Sequence, residues 1–315
     1  EIADMTAMVS RLRGAVPAPL VIDSTELPVI EAALKLYGGK AIINSINFED
    51  GEEAPAARLA LARRFGAAVI ALTIDEEGMA KDVDRKLAIA HRLYDFAVNK
   101  HGLPPSDLLF DPLTFTIATG NEDDRKLGLE TLSAIERIAK ELPECQIMLG
   151  LSNISFGLNP PARHVLNSVY LDHALKRGMT GAIVHFSRIM PLHRIQPAEL
   201  ETAEDLIFDR RREGYDPLHA FMALFEGRTA ETTVKKTRAE DVETRLKDRI
   251  VDGDRLGLDT ALADALERHQ PLDRVDARAR ADGLRDERLR VQTRQAHVAA
   301  FASWRHDLGV THVAV

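Results

Sequence analysis

Short apolar runs alternate with longer amphipathic segments over the first 215 residues of the chain. Consecutive apolar residues are typical of strands buried on both faces of a parallel sheet. The runs comprise residues 20–22, 41–43, 67–72, 108–110, 147–149 and 182–184. Helical periodicity is found around residues 2–13, 27–36, 53–65, 80–100, 121–141 and 161–177. The alternation predicts six repeated strand–helix units with helical crossovers between parallel strands.

Two of the predicted helices begin with side chains that favour helix starts. Asn121 is predicted to be an N-cap, with Asp124 in the first turn of the helix. Asn159 precedes Pro160 and Pro161, a combination that is typical of a cap followed by the first helical positions.

The strand pattern by itself leaves two α/β architectures open. A doubly wound open sheet accommodates six strands, but its first loop usually carries a glycine-rich phosphate motif, and none is visible here. An eight-stranded (β/α) barrel of the TIM type that lacks its first two strands accommodates them equally well.

Small polar residues follow the strands and favour the barrel. In a parallel barrel the positions just after the strands converge on the face where active sites are built. These residues are Asp23, Asn44, Asp75, Asp111, the pair Ser152 and Asn153, and His185. A ring of carboxylates and amides with few nearby cations suits a neutral ligand that is rich in hydrogen-bond donors.

The character of the chain changes after residue 215. Residues 216–226 are apolar enough for a last barrel helix or the entry to another module, so the barrel is predicted to span 1–226. Residues 227–240 lack an apolar period and are predicted to be a linker, whereas 241–270 resume a helical pattern. Residues 271–315 contain arginine but no lysine and form an atypical tail.

Composition narrows the class of protein. The chain has 315 residues, of which 45% are hydrophobic and 29% charged, as in globular proteins. Its net charge of −8 disfavours a nucleic-acid partner. The single cysteine, Cys145, excludes a multi-cysteine zinc site within the chain. No apolar run approaches the roughly 18 residues of a membrane span, so we expect a cytoplasmic protein with no membrane partner.

Several motifs in register resemble the pterin-binding barrel of cobalamin-dependent methionine synthases. Five of them stand at predicted strand ends: VIDST at 21–25, IINS at 42–45, LTIDEEG at 72–78, FDPL at 110–113 and GLSNIS at 150–155. Further similar segments are IATG at 117–120, FGLNP at 156–160, DRRREG at 209–214 and RIVDGD at 249–254. The last resembles the opening of the helical cap over cobalamin, and the resemblance extends to about residue 272.

The resemblance implies a ligand and a reaction. The methyl donor would be 5-methyltetrahydrofolate, and its N5 methyl group would be transferred to cob(I)alamin in methionine biosynthesis. By motif, Asp23, Asn44 and Asp111 would bind the pterin ring, and Asn153 would lie near N5. Asp75 is a further candidate for the catalytic network. His185 joins the pterin-binding set, although many family members carry asparagine there.

The sequence also departs from the family pattern. The first two barrel strands, the homocysteine-binding module with its zinc site and the cobalamin-binding module are not found. The chain begins at Glu1 inside a predicted helix, so we expect a piece of a longer enzyme whose partners are those modules. The arginine-rich tail suggests an out-of-frame read in GC-rich coding DNA.

Three other assignments of the chain remain open. A dihydropteroate synthase shares the barrel but would lack a segment similar to the cobalamin cap. A methyltransferase for a corrinoid iron–sulfur protein is closer in chemistry but usually ends at the barrel. A non-catalytic pterin-binding remnant is also consistent, because Asp and Asn at strand ends often only cap helices.

Overall fold

The computed structural model describes residues 1–228, where six parallel strands form one sheet. The strands of this sheet are β1 (Val21–Asp23), β2 (Ile42–Ile46), β3 (Ala68–Leu72), β6 (Leu108–Asp111), β7 (Gln146–Gly150) and β8 (Gly181–Ile183). A small antiparallel hairpin consists of β4 (Ile74–Asp75) and β5 (Gly78–Met79). Nearly all of the predicted linker and the whole of the predicted cap and tail lie outside the described residues.

Helices connect the strands along the chain. They are α1 (Ile2–Ala15), α2 (Leu27–Leu36), α3 (Glu53–Phe65), α4 (Val83–Tyr94), α5 (Leu127–Glu141), α6 (Pro160–Lys176), α7 (Pro197–Ile207) and α8 (Pro217–Leu224). A π-helical segment, Asp95–Lys100, continues α4. Within residues 1–228, no helix has both the length and the apolar character that crossing a membrane requires.

Strand order decides between the two architectures that the pattern allowed. Each strand of the main sheet pairs with the next one along the chain, in the order β1-β2-β3-β6-β7-β8, and every pairing is parallel. A doubly wound sheet would reverse its strand order at a switch point, whereas a barrel adds strands in sequence. The predicted fold class is confirmed: this is an α/β sheet of the barrel type with six strands among the described residues.

The sheet has a helix-covered outer face and a separate inner face. Outer side chains such as Ile43, Val69 and Phe110 are fully buried in one large cluster with the helices. The inner apolar cluster consists of Ile42, Ala68, Ile70, Leu109 and Met148, with Val21, Leu72 and Ile183 packed against it. Because the two sets alternate along each strand, the inner face carries its own narrow core.

Side-chain caps are found at the starts of three of the eight α-helices in residues 1–228, namely α4, α6 and α8. The Asn159 side chain accepts a hydrogen bond from the Ala162 backbone N–H at 3.0 Å, so the predicted cap of α6 is confirmed. The predicted cap at Asn121 is wrong, because only a short 3₁₀ turn follows it and α5 begins at Leu127. The Asn121 amide instead donates to the Asp124 carboxylate at 3.3 Å.

Two elements were not expected from the pattern. The β4–β5 hairpin follows β3 directly. It was not predicted because residues 72–79 mix apolar and acidic side chains without a clear period. Helix α7 begins at Pro197 and is rich in glutamate, so its apolar stripe is narrow. Helix α8 packs against α7, and its Phe221 is fully buried.

Gly178 and Gly66 both follow helices with positive φ angles, of 104° and 67° respectively. We expect replacement of either glycine by alanine to lower the free energy of unfolding by about 1 kcal/mol, because alanine disfavours the left-handed backbone conformation. Gly178→Ala should lose about 1–3 kcal/mol more through overpacking, because the new Cβ would lie 2.7 Å from the Ala139 Cβ. Gly66→Ala meets no atom within 4 Å and serves as the control. Urea unfolding measures both, and equal losses would contradict this account.

Candidate functional site

Three polar side chains lie on the inner face at the carboxyl ends of their strands. Each comes two residues after a member of the inner apolar cluster or a residue packed on it, and side chains two apart in a strand share a face. The pairs are Val21 and Asp23, Ile42 and Asn44, and Leu109 and Asp111. The concave edge of the sheet therefore presents two carboxylates and an amide toward one region.

Asp23 and Asn44 are neighbours across the β1–β2 pair. Asp23 is in register with Asn44, which is in turn in register with Ile70 of β3. The register shifts immediately afterwards, because Ser45 is an extra residue between Asn44 and Ile46. Such a bulge interrupts regular pairing and changes the direction of the side chains beside it. Asp23 is exposed and Asn44 is half-buried, so both remain accessible to a ligand.

Asp111 is the most buried of the three groups. One carboxylate oxygen accepts the Leu113 backbone N–H at 2.9 Å, and the other accepts the Gly150 N–H at 3.2 Å. The two bonds link the ends of β6 and β7 through a single side chain. Burial raises the pKa of Asp111 to about 6, although the two N–H donors and the nearby Lys86 ammonium oppose this rise.

Asn153 lies beside Asp111, on the 3₁₀ turn Leu151–Ser155 that follows β7. A Cβ placed on Gly150 would be 3.7 Å from the Asn153 Nδ2 and 4.0 Å from an Asp111 carboxylate oxygen. The glycine thus leaves room for the amide and the carboxylate to approach each other. Asn153 is exposed, and no hydrogen bond holds its amide among residues 1–228, so it is free to turn toward a ligand.

Arg163 supports the turn that carries Asn153. Its guanidinium, on the first turn of α6, donates to the Ser155 hydroxyl at 3.1 Å and to the Ser152 carbonyl oxygen at 3.1 Å. These bonds hold both sides of the Asn153 position. The sequence gives no local signal for this role, because bonds between a helix and a distant turn depend on the tertiary structure.

Asp75 is placed differently from the strand-end set. It lies on the hairpin strand β4, beyond the end of β3, rather than at the end of a strand of the main sheet. Its carboxylate accepts the Arg85 guanidinium at 2.5 Å and the Glu77 backbone N–H at 3.1 Å. The expected strand-end position of Asp75 is therefore corrected, and its charge is already compensated by an arginine.

His185 follows β8 and is exposed at the same edge of the sheet. Its Nδ1 lies 3.0 Å from the Ser187 hydroxyl. Burial lowers the pKa of the neighbouring His164, and nearby positive charges lower it further. Those charges belong to Arg188 and Arg163. This end of the site is thus basic, in contrast to the acidic and amide groups on β1, β2 and β6.

Lys86 is the main residue near the site that sequence reasoning missed. It is fully buried on α4, and its ammonium donates to the carbonyl oxygens of Ala80, Pro112 and Leu113. A signal was available, because position 86 is one helical turn before the buried Ala90. A lysine on an apolar helix face needs acceptors in the interior.

Comparison with known proteins identifies the family. A family model described as "Pterin binding enzyme" matches residues 1–185. The chain belongs to this family. In residues 1–228 there is no group of three or more His, Cys, Asp or Glu side chains arranged to hold a metal ion.

Two curated relatives of this chain are named methionine synthase. The protein of Mycobacterium leprae (strain TN) is 47% identical over 279 residues, and that of Mycobacterium tuberculosis (strain ATCC 25618 / H37Rv) is 48% identical over 278. Each alignment covers 86% of this chain but only 23% of the relative. The chain spans about a quarter of the length of these relatives, and the resemblance inferred from the motifs is confirmed.

Two solved structures are more distantly similar. A Yersinia pestis DHPS with a pterine-sulfa conjugate is 17% identical with a TM-score of 0.39, covering 57% of this chain and 67% of that one. Dihydropteroate synthase from Xanthomonas albilineans in complex with 7,8-dihydropteroate is 21% identical with a TM-score of 0.41, covering 55% and 63%. At such scores these similarities support no conclusion about the ligand of this chain.

The Asp111 carboxyl should titrate near pH 6 in the free protein, well above an ordinary aspartate, because burial disfavours its charged form. Side-chain carboxyl ¹³C NMR from pH 3 to 8 measures this directly. Asp111→Asn removes the signal and so provides its assignment. A midpoint at or below about pH 4, the value of an unperturbed aspartate, would contradict the burial seen here.

Proposed function

We propose that this chain binds 5-methyltetrahydrofolate at the inner edge of the sheet and supports transfer of the N5 methyl group to cob(I)alamin. The observation that carries the proposal is the convergence of Asp23, Asn44 and Asp111 on one face, with the Asn153 amide beside Asp111 and without a hydrogen bond to any other part of residues 1–228. The family and the two methionine synthase relatives support the same assignment.

The polar groups match the hydrogen-bonding pattern of a pterin ring. A pterin presents an exocyclic amino group and ring N–H donors along one edge, and carboxylates are acceptors for such donors. Asp111 and Asp23 supply the carboxylates, while the Asn44 amide both donates and accepts. The apolar inner cluster beneath them, including Ile70 and Met148, offers a floor for the flat ring.

The Asp111 carboxylate is suited to hold this ring firmly. Its two backbone donors fix its orientation before a ligand arrives, so little side-chain entropy is lost on binding. Charge-assisted hydrogen bonds are strengthened where water is excluded. With a pKa of about 6, Asp111 is mostly ionised at pH 7 and accepts pterin N–H donors as an anion.

Methyl transfer requires help at N5, because a neutral tertiary amine is a poor leaving group. In the proposed step the methyl–N5 bond breaks, its electron pair stays on N5, and a proton at N5 completes tetrahydrofolate. Cob(I)alamin supplies the electron pair that forms the new bond to the methyl carbon. Asn153 would turn its amide oxygen toward the protonated N5 and stabilise the positive charge by a preorganised dipole.

Asp75 and His185 take lesser parts in the proposal. Asp75 would act in the N5 network only through water or by exchanging its Arg85 partner, since the guanidinium occupies one carboxylate oxygen. His185 would contact the pterin from the β8 side, where its exposed ring shares a hydrogen bond with Ser187.

The wider organisation is also part of the proposal. Residues 1–226 would form the pterin-binding module, 227–240 a linker, and 241–270 the start of the cap over cobalamin, with 271–315 belonging to neither. Cobalamin would reach the site as the methyl acceptor carried by another module of a longer enzyme, and homocysteine with its zinc site would belong to a further module.

Substitution of the pterin-binding groups should weaken binding. Asp23→Asn, Asn44→Ala and Asp111→Asn are each expected to lower affinity for 5-methyltetrahydrofolate by about tenfold to a hundredfold, through loss of a hydrogen bond or of the charge that strengthens it. Isothermal titration calorimetry at pH 7 measures this. Asp84→Asn is the control, because that carboxylate is 84% exposed on α4 and pairs with Arg137. Absence of saturable binding by the parent would identify a remnant and reject the proposal.

Substitution of Asn153 should separate binding from transfer. Asn153→Ala is expected to leave the Kd for 5-methyltetrahydrofolate nearly unchanged and to lower the rate of transfer to added cob(I)alamin by about a hundredfold. Asn99→Ala is the matched control, since that amide only bonds Asp95 on the π-helical segment. Equal transfer rates in Asn153→Ala and the parent would reject the role at N5.

A further inference from the structure

Lys86 is an unusual group for the interior of this fold. Its side chain is fully buried, yet no carboxylate forms a direct ion pair with it among residues 1–228. Its ammonium instead bonds three carbonyl oxygens and lies 4.9 Å from the centre of the Phe115 ring. A buried charge is costly unless it is well solvated by protein dipoles. An apolar side chain at position 86 would avoid that cost, so we expect the buried charge to have a function.

The carbonyl oxygens that bind Lys86 belong to the backbone next to Asp111. Pro112 and Leu113 follow Asp111 directly, and Leu113 has a positive φ of 62°. Such a conformation is unfavourable for leucine and needs support from its surroundings. In this conformation the Leu113 N–H donates to the Asp111 carboxylate at 2.9 Å. Lys86 therefore holds the residue that orients Asp111.

A second route ties Lys86 to the same strand end. Its bond to the Ala80 carbonyl oxygen measures 2.9 Å, and the Ala80 N–H donates to the Thr73 carbonyl oxygen at 3.1 Å. The Thr73 N–H in turn donates to the Asp111 carbonyl oxygen at 3.1 Å. Lys86 thus closes a ring of hydrogen bonds that runs through the β4–β5 hairpin and returns to Asp111.

The charges around Lys86 connect it to Asp111 electrostatically as well. Burial lowers the pKa of Lys86 to about 8, whereas the negative charges of Asp111, Asp82 and Glu130 raise it. Asp82 caps α4 and Glu130 lies on α5. The Tyr170 hydroxyl of α6 is a further titratable group that interacts with Asp111. Lys86 is the cation whose charge favours the ionised form of the Asp111 carboxyl.

We propose that Lys86 is a positioning residue for pterin binding, which fixes the backbone after β6 and keeps the Asp111 carboxylate oriented and ionised. It does not touch the pterin and acts only through Asp111. The inference rests on the proposed function for its ligand, but its effect on Asp111 is measurable without any ligand. The purely structural alternative is that Lys86 only stabilises the loop.

The first test compares Lys86→Met with the parent. We expect the affinity for 5-methyltetrahydrofolate at pH 7 to fall by about tenfold through misplacement of the carboxylate. The pH below which binding is lost, near 6 in the parent, should rise by about half a unit, because the neutral variant no longer favours ionised Asp111. Lys81→Met is the control, since that lysine is 59% exposed and lies 3.6 Å from Asp124.

Carboxyl ¹³C NMR of the ligand-free proteins tests the coupling of Lys86 to Asp111 separately from the proposed binding of 5-methyltetrahydrofolate. The Asp111 midpoint should be higher in Lys86→Met than in the parent, and unchanged in Lys81→Met. If the parent fails to bind 5-methyltetrahydrofolate while this shift is present, the proposed function fails and the coupling of Lys86 to Asp111 stands. If the parent binds and Lys86→Met shows an unchanged midpoint and binding profile, the positioning role is overturned.

A reciprocal measurement applies even where Lys86→Met does not fold. In Asp111→Asn the pKa of Lys86 should fall below its parent value, because one of the negative charges that raise it has been removed. Lysine Cε chemical shifts measure this. When Lys86→Arg is added to Asp111→Asn, the pH dependence of the residual binding of 5-methyltetrahydrofolate should stay unchanged, because Lys86 acts only through the Asp111 carboxyl. An unchanged Lys86 pKa in Asp111→Asn would overturn the proposal.

Discussion

Within residues 1–228, each strand of the main sheet pairs in parallel with the next strand of that sheet along the sequence, and its six strands end at the same edge. Because side chains alternate between faces, one register decides both where the inner apolar cluster forms and where the polar residues after it emerge. A shift of one residue in β2 or β6 would turn Asn44 or Asp111 into the helix-covered face. The core and the candidate site therefore depend on the same alignment.

The end of β6 illustrates how this alignment becomes chemistry. Asp111 leaves the strand on the inner face, receives two backbone N–H donors, and links β6 to β7 through Gly150. Gly150 also leaves space for the Asn153 amide. Around these groups, Lys86 and Arg163 bind backbone carbonyl oxygens and hold the two turns in place. Rigid support of this kind is what a preorganised binding site requires.

Much of the fold was predictable because parallel strands buried on both faces leave a strong local pattern. Helices α2 and α3 begin and end at the predicted residues, 27–36 and 53–65. The pattern failed where the local signal is weak: the hairpin after β3 mixes acidic and apolar residues, and α7 carries acidic residues in its interior. The cap at Asn121 failed because its side-chain oxygen accepts no N–H of the following turn, and its amide nitrogen donates to Asp124.

By itself, the sequence determined the order of the six parallel strands seen in residues 1–228, the barrel-type class and most of the strand-end residues, since each depends on local periodicity and on motifs at fixed spacing. Only the tertiary structure decided how those residues differ. Asp75 lies on the hairpin, where Arg85 of α4 compensates its charge, whereas Asp111 is buried and accepts two backbone N–H donors. The tertiary structure also brought Lys86 to the carbonyl oxygens that follow Asp111. The helical position of Lys86 indicates that it is buried, but which distant loop it contacts follows from packing alone.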